Sequence, residues 1–339
     1  MDGVNEDHRR RIAVIGGGRS DEHEVSLASA ASAVGVIRQR GEEVLELRID
    51  RDGTWRDAAG TRLTAAEVVT RMATCDVAFP LLHGVHGEDG AIAGLLTLIG
   101  MPFVGSPVRA GALAMDKWAT KLLAEAAGIA TAPAVLVRPG DRVDTLPLPV
   151  PLVVKPTTGG SSNGVSRVTT ADTYRQAVAT ARAAGEDVLV ESFVAGREVD
   201  IALFRDGNGV LRAGASLEVG VERGGLFDRH RKYDGTAEFT LPARITPVEH
   251  ATVDRAARDL YAVLGCSGVV RFDFFVTDTT VVLNEVNTTP GFTERSQVPM
   301  MYAAVGLPYA DLVGELVEEA LATAHGRGHP PDPRSATSA

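Results

Sequence analysis

The chain has 339 residues and a formal net charge of -10. That is long enough for two or three packed units and too acidic for a duplex nucleic-acid partner, which wants a basic face. Its 45% hydrophobic and 23% charged content is that of an ordinary soluble globular protein. Cys75 and Cys266 have no metal-like spacing and read as reduced, packed thiols of a cytoplasmic protein.

The N-terminal stretch has no apolar run behind its charges, so no signal peptide is expected. Arg11 to Ile15 reads as a short apolar strand running into Gly16-Gly17-Gly18, with a helix from about Val25 to Gln39 behind it. Strand, glycine turn and helix open a βαβ unit. A dinucleotide fingerprint would need glycine where Asp21 stands, so a dehydrogenase reading is weak. Glu24 near the helix start is favoured by the helix dipole, and a capping contact is the plain alternative role for it. Val44 to Ile49 and Val77 to Leu82 are the next strands, the second ending in H-G-V-H-G-E-D-G. Ligands of open parallel sheets collect at such strand ends. His83, His86, Glu88 and Asp89 could be imagined around zinc. The loop is too glycine-rich for a rigid ligand set, and a turn admitting close backbone contact to a substrate is preferred.

Gly90 to Val108 is uncharged, but its glycines and prolines divide it into a short buried helix, a turn and a strand at Met101–Gly105 rather than a membrane span. Met115-Asp116-Lys117 opens a helix that Gly128 stops. Leu152 to Lys155 is a strand leading into K-P-T-T-G-G-S-S-N-G-V, a turn that can offer backbone N–H groups to phosphate oxygens. It is not a P-loop, because Lys155 precedes the glycines. Strands follow at Val188–Phe193 (carrying Glu191), Val199–Phe204 and Val210–Glu218. The irregular stretch Gly220–Thr236 reads as a lid, Pro247–Leu264 and Pro308–Thr323 as helices, and the tail from about His325 as disordered.

The organising stretch is Arg271 to Gly291, two β-rich runs around the turn T-D-T-T. If the hairpin folds symmetrically about Thr279, Asp273 faces Glu285 and Arg271 faces Asn287, while Phe272, Phe274 and Val286 point into a core. Two carboxylates and an amide oxygen on one sheet face suit magnesium with a nucleotide phosphate; a solvated hairpin face is the other reading.

Taken together, Glu24-Val25-Ser26, H-G-V-H-G-E-D-G, Met115-Asp116-Lys117, K-P-T-T-G-G-S-S-N-G-V, Lys232-Tyr233, R-F-D-F-F-V and N-E-V-N-T-T-P-G-F-T resemble, in order, the motifs of the D-alanine–D-alanine ligases of the ATP-grasp superfamily. The resemblance covers about residues 11–320. It implies a mixed α/β and α+β fold: a Rossmann-like parallel sheet (11–110), then central (111–200) and C-terminal (201–325) ATP-grasp subdomains that sandwich ATP, a lid loop at 220–236, and the tail 326–339. Lys117, Lys155 and Ser162 would hold the phosphates, with Lys232 closing from the lid. Glu191, the Phe193-Val194 backbone and Asn284 would meet the base side, and Glu198 the ribose. Asp273, Glu285 and Asn287 would bind two Mg²⁺ ions, with Mn²⁺ as a substitute. Glu24 would take the first D-alanine's ammonium beside His83, oriented by Ser161 and Tyr233. Arg271 and the Gly291 backbone would face the oxyanion, and Ser296 the second substrate's carboxylate. The product would be D-alanyl-D-alanine for peptidoglycan, made by a cytoplasmic homodimer. The lid departs from the family pattern: L-F-D-R-H-R-K-Y keeps the lysine and final tyrosine but is more basic. A related ligase using another amino- or hydroxy-acid acceptor therefore stays open, as does a nucleotide-binding protein without catalysis.

Overall fold

The computed structural model describes residues 9–220 and 238–324. The expected disordered tail and the lid residues 221–236, with Lys232 and Tyr233, lie outside the described residues. The strands are β1 Arg11–Gly17, β2 Glu43–Ile49, β3 Trp55–Asp57, β4 Arg62–Leu63, β5 Val77–Pro80, β6 Ala134–Val137, β7 Leu152–Pro156, β8 Ser166–Val168, β9 Val188–Ser192, β10 Arg197–Arg205, β11 Leu211–Ala213, β12 Leu217–Gly220, β13 Glu238–Thr240, β14 Val270–Val276 and β15 Val281–Asn287. The helices are α1 His23–Gln39, α2 Ala65–Met72, α3 Ala91–Leu98, α4 Val108–Met115, α5 Lys117–Ala126, α6 Ala171–Ala184, α7 Pro247–Leu264, α8 Gln297–Ala303 and α9 Tyr309–Ala324.

Three sheets organise these elements. The first runs β4-β3-β2-β1-β5, with β1 parallel to both β2 and β5. All of β1 after Arg11 is buried, as a central parallel strand requires. The second is an antiparallel sheet, β6-β9-β7-β8, backed by α6. The third runs β13-β12-β10-β14-β15 with β11 added to β10. β10 crosses residue 200, where the sequence reading placed a boundary between units.

Local chemistry sets the helix limits. Thr246 and Glu249 form a reciprocal capping box at the start of α7, Pro247 stands in its first turn, and Gly265 ends it at φ 73°. Asp116 caps α5 by accepting from Trp118 and Ala119. Two expectations fail. Met101–Gly105 is not a strand; Phe103 makes one isolated parallel bridge to Ala78. Val210–Glu218 is split into β11 and β12: the Gly214 amide still bonds the Ala202 carbonyl of β10, but the Ala215 amide turns to the Met301 carbonyl.

One core joins the first and third sheets. It contains Ile12, Val14 and Phe79 from the first, Phe204 and Leu217 from the third, and Tyr302, Tyr309 and Leu316 from α8 and α9. Phe292 stacks between Phe79 and Tyr309, with ring centroids 5.6 and 5.4 Å away. A second core lies beneath β10, β14 and α7, and the middle sheet keeps its own core around Leu152, Val154, Tyr174 and Val190.

The organising hairpin has the expected register at its working end, Arg271 opposite Asn287 and Asp273 opposite Glu285. Beyond Asp273 the register shifts by one, so Phe274 faces Leu283 and Asn284 is the extra residue of a bulge. The pairs Phe272–Val286, Phe274–Leu283 and Val276–Val281 all reach the second core. Without the bulge, Leu283 and Val286 would lie on opposite faces.

Candidate active site

A cleft of about 560 Å³ separates the second and third sheets. Lys155 and Glu191 reach it from neighbouring strands, one diagonal step apart in the register. Lys155 Nζ lies 2.5 Å from Glu191 Oε1, and Lys121 Nζ lies 3.2 Å from Oε2. Burial opposes the Glu191 charge, but the two ammonium groups outweigh it and hold the carboxyl below its usual range. Burial, aided by Lys155, pulls Lys121 down. Sequence reasoning missed Lys121, although it sits four residues after Lys117 and so on the same helix face. Lys117 donates to the Gly159 carbonyl at 2.8 Å, and Ser161 and Ser162 adopt left-handed φ of 53° and 56° in the adjoining turn. Phe193, Val194, Glu198 and Asn284 also line this cleft.

A larger cavity of about 1350 Å³ opens next to it, toward the first sheet. Lys117, Ser161, Glu198 and Glu285 line both spaces. Here the expectation for Glu24 needs correction. Its side chain is 75% exposed and pairs with Arg51 at 3.2 Å, at the rim. The Ser161 hydroxyl donates instead to Glu22 Oε1. Glu22 is the N-cap residue of α1 and Glu24 lies in its first turn, so the two side chains leave the chain in different directions. Glycines make room for the inner one: a Cβ at Gly84 would fall 3.1 Å from Glu22 Oε2, and one at Gly160 3.3 Å from it.

His83 is deeply buried, and both ring nitrogens are engaged by the protein. Nδ1 lies 2.7 Å from the Thr289 carbonyl, which can only accept, and Nε2 lies 3.0 Å from Ser29 Oγ. The Thr289 carbonyl requires a proton on Nδ1, and burial lowers the ring's pKa, which favours the neutral form. Ser29 also accepts from the Phe292 amide, so His83 ties the loop after β15 to α1. Glu88 stands 3.9 Å from His83, and its pKa is pushed well up by burial and by Glu22. His86 and Asp89 instead shape the turn, where Asp89 accepts from the His86 amide.

The hairpin face supplies the charge. Arg271 donates from Nε to Asp273 Oδ1 at 2.7 Å and from Nη2 to Oδ2 at 2.8 Å. Asn287 Nδ2 lies 3.0 Å from Asp273 Oδ2. Asp200, directly across from Asp273 on β10, brings its Oδ2 within 3.7 Å of Arg271 Nε. Burial works against the Arg271 charge, yet Asp273, Asp200 and Glu285 outweigh it and raise its pKa further. Gln297 accepts from Arg271 Nη1 at 2.7 Å and donates to Asp200 at 3.1 Å. Sequence reasoning gave neither Asp200 nor Gln297 a role; alternation with Glu198 along β10 was the available signal for the first. Ser296 starts α8 and shares its hydroxyl with Thr293 Oγ1 at 2.8 Å, while Gly291 lies against it.

The carboxylates around Arg271 outnumber its single charge. Among the described residues no cluster of three histidine, cysteine or acidic side chains closes on a metal by itself. Asp273, Glu285 and Asn287 lie on one face of the hairpin, with both Asp273 oxygens engaged by Arg271 and Asn287.

Comparisons with known proteins agree with this geometry. The family model of the D-ala D-ala ligase N-terminus matches residues 11–106, and that of the C-terminus matches residues 123–318. The chain is 38% identical to the D-alanine–D-alanine ligase of Mycolicibacterium smegmatis, over 94% of this chain and 97% of that one. Among solved structures, the VanG D-Ala:D-Ser ligase from Enterococcus faecalis superposes with a TM-score of 0.79 at 30% identity, covering 91% of this chain and 99% of that chain. The D-alanine–D-alanine ligase from Bacillus anthracis, solved with ATP, gives 0.78 at 25% identity, covering 94% of this chain and 100% of that one. A cleft between two antiparallel sheets, a polar cavity beside it, and matches spanning nearly the whole chain lead to one conclusion: the chain belongs to the D-alanine–D-alanine ligase family.

Proposed function

We infer that the protein joins two D-alanines into D-alanyl-D-alanine with conversion of ATP to ADP and phosphate. The observation that carries this reading is the junction of the two cavities. A nucleotide-sized cleft with buried lysines opens, at Glu285 and Ser161, into a space lined by Glu22 and Arg271.

In this reading Glu22, not Glu24, accepts the first D-alanine's ammonium. That amino acid's carboxylate attacks the γ-phosphate, the β–γ bridging bond breaks, and ADP leaves. Lys117 and Lys155 offset the charge on the transferred group. Mg²⁺ held by Asp273, Glu285 and Asn287 supplies further positive charge to the phosphate oxygens when bound. The second D-alanine's free amine then attacks the acylphosphate carbonyl, and phosphate departs. Arg271 and the backbone at Gly291 stabilise the oxyanion, while Ser296 receives the acceptor's carboxylate. His83, neutral and held at both nitrogens, orients the loop instead of contacting the ammonium. Glu191 and the Phe193-Val194 backbone face the base, and Glu198 the ribose. Membership of the family also supports a role in peptidoglycan precursor synthesis, a homodimer and a cytoplasmic site of action. Among the described residues no helix is long and apolar enough to cross a membrane.

Incubation with ATP, MgCl₂ and D-alanine, followed by mass analysis, tests the reading; D-alanyl-D-alanine and ADP in equal amounts are expected. The similarity to a D-Ala:D-Ser ligase and the altered lid favour adding D-serine and D-lactate as competing acceptors. A mixed product formed to the exclusion of D-alanyl-D-alanine would replace the acceptor assignment and leave the donor assignment standing.

A further inference from the structure

Gln297 is a polar side chain in the larger cavity that the mechanism above does not use. It opens α8 and spans two charged groups from different strands, Arg271 on β14 and Asp200 on β10. Arg271 can only donate, and an ionised Asp200 can only accept. The amide therefore has a single satisfied orientation, its oxygen on Arg271 and its nitrogen on Asp200. Its two distances of 2.7 and 3.1 Å are those of full hydrogen bonds.

The bridge matters for the arginine. Of the five N–H groups of Arg271, two are given to Asp273 and one to Gln297. Among the described residues no partner takes the other two, one on each Nη, which are open to an anionic oxygen in the cavity. Asp200 lies only 3.7 Å from Nε and competes for the guanidinium. An arginine drawn into a second carboxylate would lose its hold on an oxyanion. An amide between the two gives Asp200 a neutral donor and keeps the guanidinium against Asp273.

We propose that Gln297 is a positioning residue for Arg271, a neutral bridge that donates to Asp200 Oδ2, holds the guanidinium against Asp273 and leaves two of its N–H groups for the substrates. The proposal rests on the ligase reading and on Arg271 as the oxyanion partner. Gln297 itself touches no reacting atom in this scheme.

Gln297→Met keeps the length of the side chain and removes both hydrogen bonds. Dipeptide formation should fall at least tenfold in kcat, with the KM for ATP within twofold and the melting temperature nearly unchanged. Wild-type kcat and wild-type KM for both amino acids in a folded Gln297→Met protein would overturn the bridge. Gln297→Glu gives a second measurement and decides the matter if the methionine variant loses its fold. The introduced carboxyl would face Arg271, Asp273 and Glu285 on the hairpin and Asp200 on β10. Protonated, it copies the amide, with an oxygen for Arg271 and an O–H for Asp200; ionised, it repels Asp200 and neutralises Arg271. Ionised at neutral pH, it should leave less than a tenth of the wild-type kcat in a folded protein. Wild-type kcat in a folded Gln297→Glu protein would refute the proposal. Wild-type protein that makes no dipeptide would instead sink the ligase reading, so the two failures are distinguishable.

Discussion

At the scale of single residues, the informative contrast is Glu22 against Glu24. The motif drew attention to the acid beside Val25-Ser26, but helical geometry sends that acid outward to Arg51 and leaves its neighbour on Ser161. Glu22→Gln should raise the KM for the first D-alanine by one to two orders of magnitude, and Glu24→Gln should leave it within about threefold; initial rates at saturating ATP decide between them. Glu285→Gln should reduce turnover by orders of magnitude with an unchanged circular dichroism spectrum, and wild-type rates would remove Glu285 from the metal set. A third residue acts on stability. Glu319 is buried in α9, receives the Gly268 amide at 3.0–3.1 Å, and burial raises its pKa to about 7. A carboxyl whose folded value exceeds its unfolded one weakens the fold when it ionises. The loss begins as pH rises past about 4.5 and is complete above about 7, reaching about 3 kcal/mol. Glu319→Gln should therefore raise the melting temperature at pH 8 and leave it unchanged near pH 4.5. Tyr and Met substitutions would not report this, because they change packing as well.

At the scale of elements, periodicity and capping were legible and exceptions to ladder pairing were not. Pro247–Leu264 was readable because Thr246, Glu249 and Gly265 mark both ends. Removing that mark with Thr246→Ala should cost about 1 kcal/mol and lower the melting temperature by a few degrees. The hairpin was half legible. Alternation gave the two charged pairs correctly, since both lie on the near side of the bulge. The shift at Asn284 has no side-chain signature, because an unpaired backbone residue is chosen by the core that the flanking pairs share and not by local propensity. Deleting Asn284 should abolish activity and destabilise the protein, while one residue inserted between Asp278 and Thr279 should be tolerated; thermal melts of the two variants check this. The interior contacts of His83 were also illegible. Its partners, Ser29 and Thr289, are far from it in sequence, and only the packed loop brings them together.

At the scale of the molecule, ligand and fold are linked. A nucleotide that binds only the folded state raises stability by about 2.7 kcal/mol at a hundredfold excess over its dissociation constant. ATP with Mg²⁺ should thus raise the melting temperature, and Glu285→Gln should lose the part that depends on Mg²⁺. The fold class was readable from the order of motifs, since the βαβ opening and the two later β-rich blocks each carry their own signals. The mutual burial of the first and third sheets was not, because it rests on aromatic residues scattered from Phe79 to Tyr309. That shared interior has a mechanical meaning. Prying those two sheets apart would wet Phe79, Phe292 and Tyr309 together, whereas the middle sheet keeps its oily residues to itself and can tilt without exposing them. Nucleotide entry and exit should accordingly swing residues 134–192 as a door on a fixed frame, and hydrogen–deuterium exchange with and without ATP should register its largest change along that door's edge.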